Sequence, residues 1–207
     1  MGYILVVDGP NFINELHRLG KDKEYIMNKL CFPFLHGVIQ KKLAENGLYS
    51  HPFLHTEFIC SNLTRIGDFK EKEREQLLAK LRRETGVSVR IVNLTKRKED
   101  RGEKGVDMTV FATMIERGGL LTHVVLIGAD KDYAPALNAM TKRNIHTIVV
   151  GIDDGKSEEL INECYLFLSL KEVLDEMEQL VEKGDMKRIL ELQKTEINLN
   201  EQPNHLQ

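Results

Sequence analysis

The sequence contains no tryptophan, only three cysteines and no long apolar run among its 207 residues. The cysteines are scattered and odd in number, so they offer no zinc spacing and suit a reducing compartment. No stretch approaches the roughly eighteen consecutive apolar residues that a membrane helix needs. The first residues also lack the basic segment of a signal peptide. We therefore predict a cytoplasmic protein that has no membrane partner.

The chain as a whole also has no excess of basic over acidic residues, as its formal net charge of −3 shows. This balance argues against a general nucleic-acid coat protein. The charge is uneven, however: residues 156–207 contain six basic and twelve acidic side chains, a balance of −6, which leaves +3 for residues 1–155. The basic surplus therefore accompanies the longer, N-terminal part of the chain.

Signatures of several hydrolase classes are missing as well. No motif places a serine or cysteine at a nucleophile elbow, and the seven histidines show no paired spacing. An aspartyl phosphatase would need a second acid two residues after Asp8, where Pro10 stands instead. A Toprim-like site would need a glutamate on the first strand, which has none.

Short apolar runs alternate with helical patterns along the first 150 residues. This alternation predicts an α/β fold in which helices cover both faces of a central parallel sheet. We expect Asp8–Asn11 to form a turn, Pro33 to kink or split a helix over 24–45, and residues 94–105 to form an exposed loop. The predicted strands are 3–7, 56–60, 87–92, 123–127 and 147–150, and the other predicted helices are 70–83, 106–117 and 133–143.

The C-terminal part contains an apolar stripe at helical spacing between Leu170 and Val181. We predict a catalytic domain over 1–169, a helical extension over 170–194 and a disordered tail over 195–207, with a further short helix over 186–192. The stripe either docks onto its own domain, which is the commoner case, or pairs with a second copy. In the second case the protein is a homodimer through helix 170–181.

Four aspartates fall where the predicted fold would gather them at one edge of the sheet. Asp8 leaves the first strand, Asp130 and Asp132 follow the fourth, and Asp107 shares a helix face with inward-pointing apolar residues. If the first and fourth strands are neighbours, their ends lie about 4.8 Å apart. Taken singly, these acids also suit a strand-ending turn, a helix cap and a helix dipole. Their convergence is what favours a site.

Carboxylates this close need a cation, because mutual repulsion would otherwise force some of them to protonate. Oxygen ligands favour Mg²⁺ or Mn²⁺ over zinc. Asn11 lies three residues after Asp8 and can turn its amide toward the same place. We therefore predict catalytic roles for Asn11 and the four aspartates, and metal binding by Asp8, Asp107, Asp130 and Asp132.

Three ordered stretches, VVDGPNF at 6–12, EKGVDM at 103–108 and LIGADKDYAPAL at 126–137, resemble the motifs of NYN domains. This PIN-like ribonuclease group includes LabA-type bacterial proteins, and the resemblance runs from about residue 1 to residue 170. It implies a PIN-like three-layer sandwich, metal-dependent RNA cleavage and an acidic cluster formed by the same four aspartates, with Asn11 as their polar companion.

The sequence departs from the family pattern at three places. Thr113 stands where many such domains have another acid, which bears on a second metal. Lys131 replaces the usual small residue between the paired acids, where its ammonium either binds phosphate or weakens the metal site. The usual final aspartate is replaced by the Cys164-Tyr165 neighbourhood.

The leading interpretation is a Mg²⁺- or Mn²⁺-dependent endoribonuclease that cleaves single-stranded or structured RNA. Its alternative is a catalytically weak RNA-binding or regulatory module acting through the C-terminal helix, and phosphate-monoester or nucleotide chemistry is a third candidate. Phe12 or Tyr133 could stack on single-stranded bases, although residues at such positions more often belong to the core. The side chains expected to contact RNA phosphates are Lys96, Arg97, Lys98, Arg101, Lys104 and Lys131.

Overall fold

A parallel β-sheet forms the centre of the structure, a computed structural model that describes residues 2–48, 53–62, 67–93, 102–118, 123–153 and 157–182. Within these ranges the sheet has six strands in the order β3-β2-β1-β4-β5-β6. The strands are β1 Tyr3–Asp8, β2 Phe53–Ser61, β3 Val87–Val92, β4 His123–Ile127, β5 His146–Gly151 and β6 Leu166–Ser169.

Helices follow the strands and pack on both faces of the sheet, which confirms the predicted fold class. Successive residues of β1 point to opposite faces: Leu5 and Val7 belong to one apolar core and Ile4 and Val6 to the other. The first core is closed by α1 Gly9–Arg18, α2 Lys23–Asn28, α3 Phe32–Glu45, α4 Glu71–Leu81 and α8 Leu170–Glu182. The second is closed by α5 Gly102–Gly118, α6 Ala134–Thr141 and α7 Glu158–Glu163.

The strand order reverses direction at β1, and this reversal positions the candidate site. The chain first adds β2 and β3 on one side of β1, then crosses to add β4, β5 and β6 on the other. β1 and β4 are paired in parallel, with Val7 opposite Ile127. A crevice beyond the carboxyl ends of two such strands is where open α/β sheets bind ligands. The condition that the sequence left open, adjacency of the first and fourth strands, is therefore met.

The segment Asp8–Asn11 begins a helix rather than forming the predicted turn. The Asp8 side chain accepts a hydrogen bond from the Asn11 backbone N–H and caps α1, and Pro10 occupies the first turn. Gly9 is needed at this point because an added Cβ would lie 2.5 Å from Phe58 Cε1 and 2.8 Å from the Ile59 carbonyl oxygen.

Other predicted boundaries changed for identifiable reasons. The expected helix over 24–45 is split into α2 and α3, as Pro33 predicted, and α3 ends at Glu45 with Asn46 as its C-cap. α5 starts at Gly102 and therefore includes residues 102–105 of the predicted loop, whereas residues 94–101 lie outside the described ranges. α7 and β6 were not predicted, because elements of six and four residues show little periodicity. The predicted helix 186–192 and tail 195–207 also lie outside the described ranges.

The apolar stripe of α8 packs against its own domain. Leu170, Val173, Leu174 and Met177 are at most 1% exposed and join the core below α3. Ion pairs at the helix flank, from Glu176 to the lysines of α3 and from Glu178 to Lys21, hold the same contact. A homodimer through 170–181 stays a prediction, and Val181 is the stripe residue that remains clearly exposed, at 39%. No helix in the described ranges is long and apolar enough to cross a membrane.

We predict that Leu174→Ala lowers the free energy of unfolding by about 2–5 kcal/mol, because truncating a fully buried leucine leaves a cavity. Val181→Ala on the same helix is the matched control and should change it by less than about 0.5 kcal/mol. Urea denaturation of both variants measures the difference. Equal, small effects would show that α8 does not dock as described.

Candidate functional site

The ends of β1 and β4 bring Asp8 against the backbone that follows β4. Asp8 is buried, at 3% exposure, and its Oδ1 accepts the Asn11 N–H at 3.1 Å. Gly128 follows β4 with φ +140°, and a Cβ there would lie 3.3 Å from Asp8 Cβ. A residue without a side chain is therefore required for the two strand ends to approach this closely.

Tyr133 holds two of the predicted metal ligands together. Its hydroxyl donates to Asp8 Oδ2 at 2.5 Å and lies 3.3 Å from Asp107 Oδ1. One phenol thus joins a carboxylate at the end of β1 to one on α5. Of the two alternatives for Phe12 and Tyr133, the structure shows the core placement: Tyr133 is 1% exposed and Phe12 is fully buried, so neither ring is accessible for stacking on a base.

The aspartates affect one another electrostatically. Burial raises the pKa of Asp107 to about 6, and the negative charges of Asp8 and Asp130 add to this increase. Burial and the same acids also raise the pKa of Tyr133, so its phenol keeps its proton and remains a donor at neutral pH. The charges of Asp8, Asp130 and Asp132 therefore all act on Asp107, and we call these four aspartates the carboxylate cluster.

Asp130 rather than Asp132 caps the turn that follows β4. Its Oδ1 accepts the Asp132 N–H at 3.0 Å at the start of a 3₁₀ turn, Lys131–Tyr133. The alternative role that its position also allowed, that of a helix cap, is therefore not the role of Asp132, whose side chain is exposed beside Lys131. Asp132 is thus the outermost acid of the carboxylate cluster.

Glu15, a buried acid near the carboxylate cluster, was not among the site residues predicted from the sequence. Its side chain is 4% exposed, its Oε2 has no hydrogen-bond partner within the described part of the chain, and burial raises its pKa to about 7. The backbone N–H groups of Ala129 and Ile152 lower the pKa in part, and Asp8 raises it further. Glu15 therefore links the segments that follow β4 and β5. A signal existed: Glu15 is four residues after Asn11, on the same face of α1.

The residues present fit a divalent cation that keeps part of its water shell. Asn11 Oδ1 is buried without a partner in the described ranges, and it lies on the same side of Gly128 as Asp8, since a Cβ added at Gly128 would lie 3.3 Å from Asp8 Cβ and 3.5 Å from Asn11 Oδ1. An orphaned acceptor among carboxylates calls for a cation or a water molecule. No three acidic, histidine or cysteine side chains of the described residues form a ready-made metal group. Mg²⁺ is compatible with this arrangement because it is often held by one or two carboxylates, waters and substrate phosphates.

Thr113 serves a different purpose from the acid it replaces. It is buried, and its hydroxyl accepts a hydrogen bond from Arg90 Nη1 at 3.0 Å. Arg90 also lies 3.9 Å from Glu57, which Arg117 contacts at 3.0 Å. The position therefore belongs to an ion-pair group between α5 and the sheet. Of the predicted RNA contacts, Lys131 is exposed; Lys96, Arg97, Lys98, Arg101 and the Lys104 side chain lie outside the described part of the structure.

Comparison with known proteins gives a family and a fold. The model of the NYN domain matches residues 44–172, more than half of the chain; this range contains Asp107, Asp130 and Asp132 and begins after Asp8 and Asn11. A crystal structure of a protein of unknown function, VPA0982 from Vibrio parahaemolyticus, is similar at a TM-score of 0.60 and 15% identity. That similarity covers 83% of this chain and 94% of the other.

No curated protein matches the sequence. The crystal structure supports the fold alone, because its sequence identity is low. The family assignment depends on the domain model. The chain belongs to the NYN domain family and has its PIN-like, nuclease-type fold.

Proposed function

We propose that this protein is a Mg²⁺- or Mn²⁺-dependent endoribonuclease that hydrolyses phosphodiester bonds of RNA at the carboxylate cluster. The observation that carries the proposal is the convergence of Asp8 and Asp107 on the Tyr133 hydroxyl, which lies 2.5 Å from Asp8 Oδ2 and 3.3 Å from Asp107 Oδ1. Burial raises the pKa of Asp107 to about 6, and the charges of Asp8 and Asp130 add to this increase. A fold gains nothing in stability from like charges held this close. Such an arrangement suits a site that binds positive charge.

Each residue has a role that follows from its place. Asp8 and Asp130, at the ends of adjacent strands, would hold the ion, and Asp107 or Asp132 would complete its protein ligands. When bound, Mg²⁺ or Mn²⁺ supplies charge for the phosphate and acidifies a water molecule. Tyr133 fixes the orientation of the Asp8 carboxylate through its hydrogen bond.

RNA contacts would come from the basic side chains next to the cluster. Lys131 is exposed between two of the acids and can meet a backbone phosphate without reading sequence. Lys96, Arg97, Lys98, Arg101 and Lys104 are proposed to extend this contact along the strand. A catalytically weak RNA-binding module is the second candidate, which the lack of a ready-made metal group in the described residues favours.

A metal-replacement experiment separates these two candidates. We expect protein treated with EDTA to lose cleavage of single-stranded RNA and to regain it when Mn²⁺ or Mg²⁺ is added, with Ca²⁺ as the control ion. Cleavage is measured on labelled RNA by gel electrophoresis. RNA binding without cleavage under any of these ions would support the non-catalytic module instead.

A further inference from the structure

A pocket of about 1040 Å³ opens beside the carboxylate cluster, between α5, α6 and α7. Asp107 and Asp132 line both the pocket and the cluster. If a phosphate of a nucleic acid lies at the carboxylate cluster, the sugar or base attached to that phosphate would therefore lie at the pocket. The nature of the walls indicates which part of a nucleotide fits there.

One wall of the pocket is apolar and exposed. Met108 is 65% exposed, the largest exposure of any large apolar side chain in the described ranges, and Phe111 lies one helical turn later on α5. The exposed ring of Pro135 also lines the pocket, from α6. Thioether, aromatic and proline surfaces suit contact with a flat aromatic ring.

The far side of the pocket is polar and acidic. The Asn138 amide donates to Glu163 Oε2 at 2.6 Å, and Glu159 and the exposed Asn162 lie beside them on α7. The carboxylates of Glu159 and Glu163 would repel a phosphate bound here, but they can accept hydrogen bonds from amino groups. Lys131, the one cation among the described residues that line the pocket, stands at the side of the cluster. The charges thus place phosphate at the cluster and an amino-bearing group at α7.

We propose that this pocket binds an unpaired nucleobase whose attached phosphate lies at the carboxylate cluster, a proposal that rests on the ribonuclease function above. The base stacks on Met108 and Phe111 and turns its exocyclic amino group toward Glu163. The substrate is therefore single-stranded at this nucleotide, because a base inside a duplex cannot enter. Adenine and cytosine are preferred to uracil, which has carbonyl oxygens and no amino group.

Equilibrium binding tests the proposal without cleavage. The probes are fluorescent 2′-O-methyl oligoadenylate, oligocytidylate and oligouridylate, together with a duplex of the same length, in Mg²⁺. We expect wild type to bind the first two more tightly than the others, and Met108→Ala to weaken binding of oligoadenylate about 5-fold or more. Leu54→Ala is the matched control, because Leu54 is also an exposed aliphatic residue, at 52%, and lies on β2 away from the pocket.

Glu163→Gln tests the proposed recognition of the amino group. It should reduce the preference for oligoadenylate over oligouridylate while leaving the affinity for oligouridylate unchanged or higher.

Unchanged binding of oligoadenylate by Met108→Ala, or a duplex bound as tightly as single strands, would overturn the pocket assignment. If single strands bind through Met108 but no RNA is cleaved in Mn²⁺, the nuclease proposal fails and the pocket survives. If Met108→Ala cleaves and binds RNA as well as wild type does, the pocket assignment fails and the nuclease proposal survives.

Discussion

Asp130→Asn is expected to reduce Mn²⁺-dependent cleavage of single-stranded RNA by about 100-fold or more, because it removes a charge that would hold the ion. Asparagine is as good a helix cap as aspartate, so the hydrogen bond to the Asp132 N–H can persist. The variant should therefore fold normally. The measurement is the single-turnover cleavage rate at saturating protein.

The control for this prediction is Asp175→Asn on α8, which makes the same chemical change far from the cluster, at an acid paired with Lys171. It should leave the rate unchanged. Calorimetry with Mn²⁺ adds a second readout, since Asp130→Asn should also weaken binding of the ion. Equal cleavage rates for wild type and Asp130→Asn would remove the carboxylate cluster from consideration as the active site.

Glu15→Gln is expected to stabilise the metal-free protein at alkaline pH. The pKa of Glu15 is about 7 in the folded protein and 4.5 as its ordinary value, so the folded state binds the proton more tightly. The contribution of Glu15 to the free energy of unfolding is fully present below pH 4.5 and is lost as the pH rises through 7. The loss amounts to about 3 kcal/mol, since each pKa unit corresponds to about 1.4 kcal/mol. Glutamine carries no charge and avoids the loss.

Urea denaturation in EDTA at pH 5 and pH 8 measures this effect. The variant should be close to wild type at pH 5 and more stable by about 2–3 kcal/mol at pH 8. Glu24→Gln, at an exposed glutamate of α2, should show no such pH-dependent difference. A constant difference between Glu15→Gln and wild type at both pH values would show that Glu15 is not held in a site that disfavours its charge.

The sequence predicted the elements whose apolar pattern is strong. Five of the strands follow from β-rich runs, of which β1, β4 and most of β2 and β5 are buried on both faces, whereas β3 at the sheet edge is not. Pro33 predicted that a long helical pattern divides. α1 was missed because an aspartate followed by glycine and proline is turn chemistry and also the start of a helix. Local sequence alone does not separate the two, and the burial of Phe12 and Leu16 decides for the helix.

The site was predictable only in part. Adjacency of Asp8 and Asp130 depended on the strand order, which the chain alone left open and the pairing of β1 with β4 resolved. The roles of Tyr133 and Glu15 depend on contacts between distant segments: Tyr133 and Asp8 are 125 residues apart. The position of Thr113 was flagged by resemblance, but its bond to Arg90 forms only when β3 lies beside α5.

The phenol that joins Asp8 to Asp107 has a thermodynamic consequence. A cation bound by both of those carboxylates would share the Asp8 carboxylate with the hydrogen bond from Tyr133, and because this bond draws on the negative charge of Asp8, it costs some of the ion's affinity for the free protein. A ligand that contributes its own oxygen atoms to the ion offsets the cost. Occupancy by ion and by nucleic acid is then reciprocal, so each tightens the other by the same factor. At low ion concentration, the proposed nuclease would therefore bind the ion appreciably only when nucleic acid is also bound.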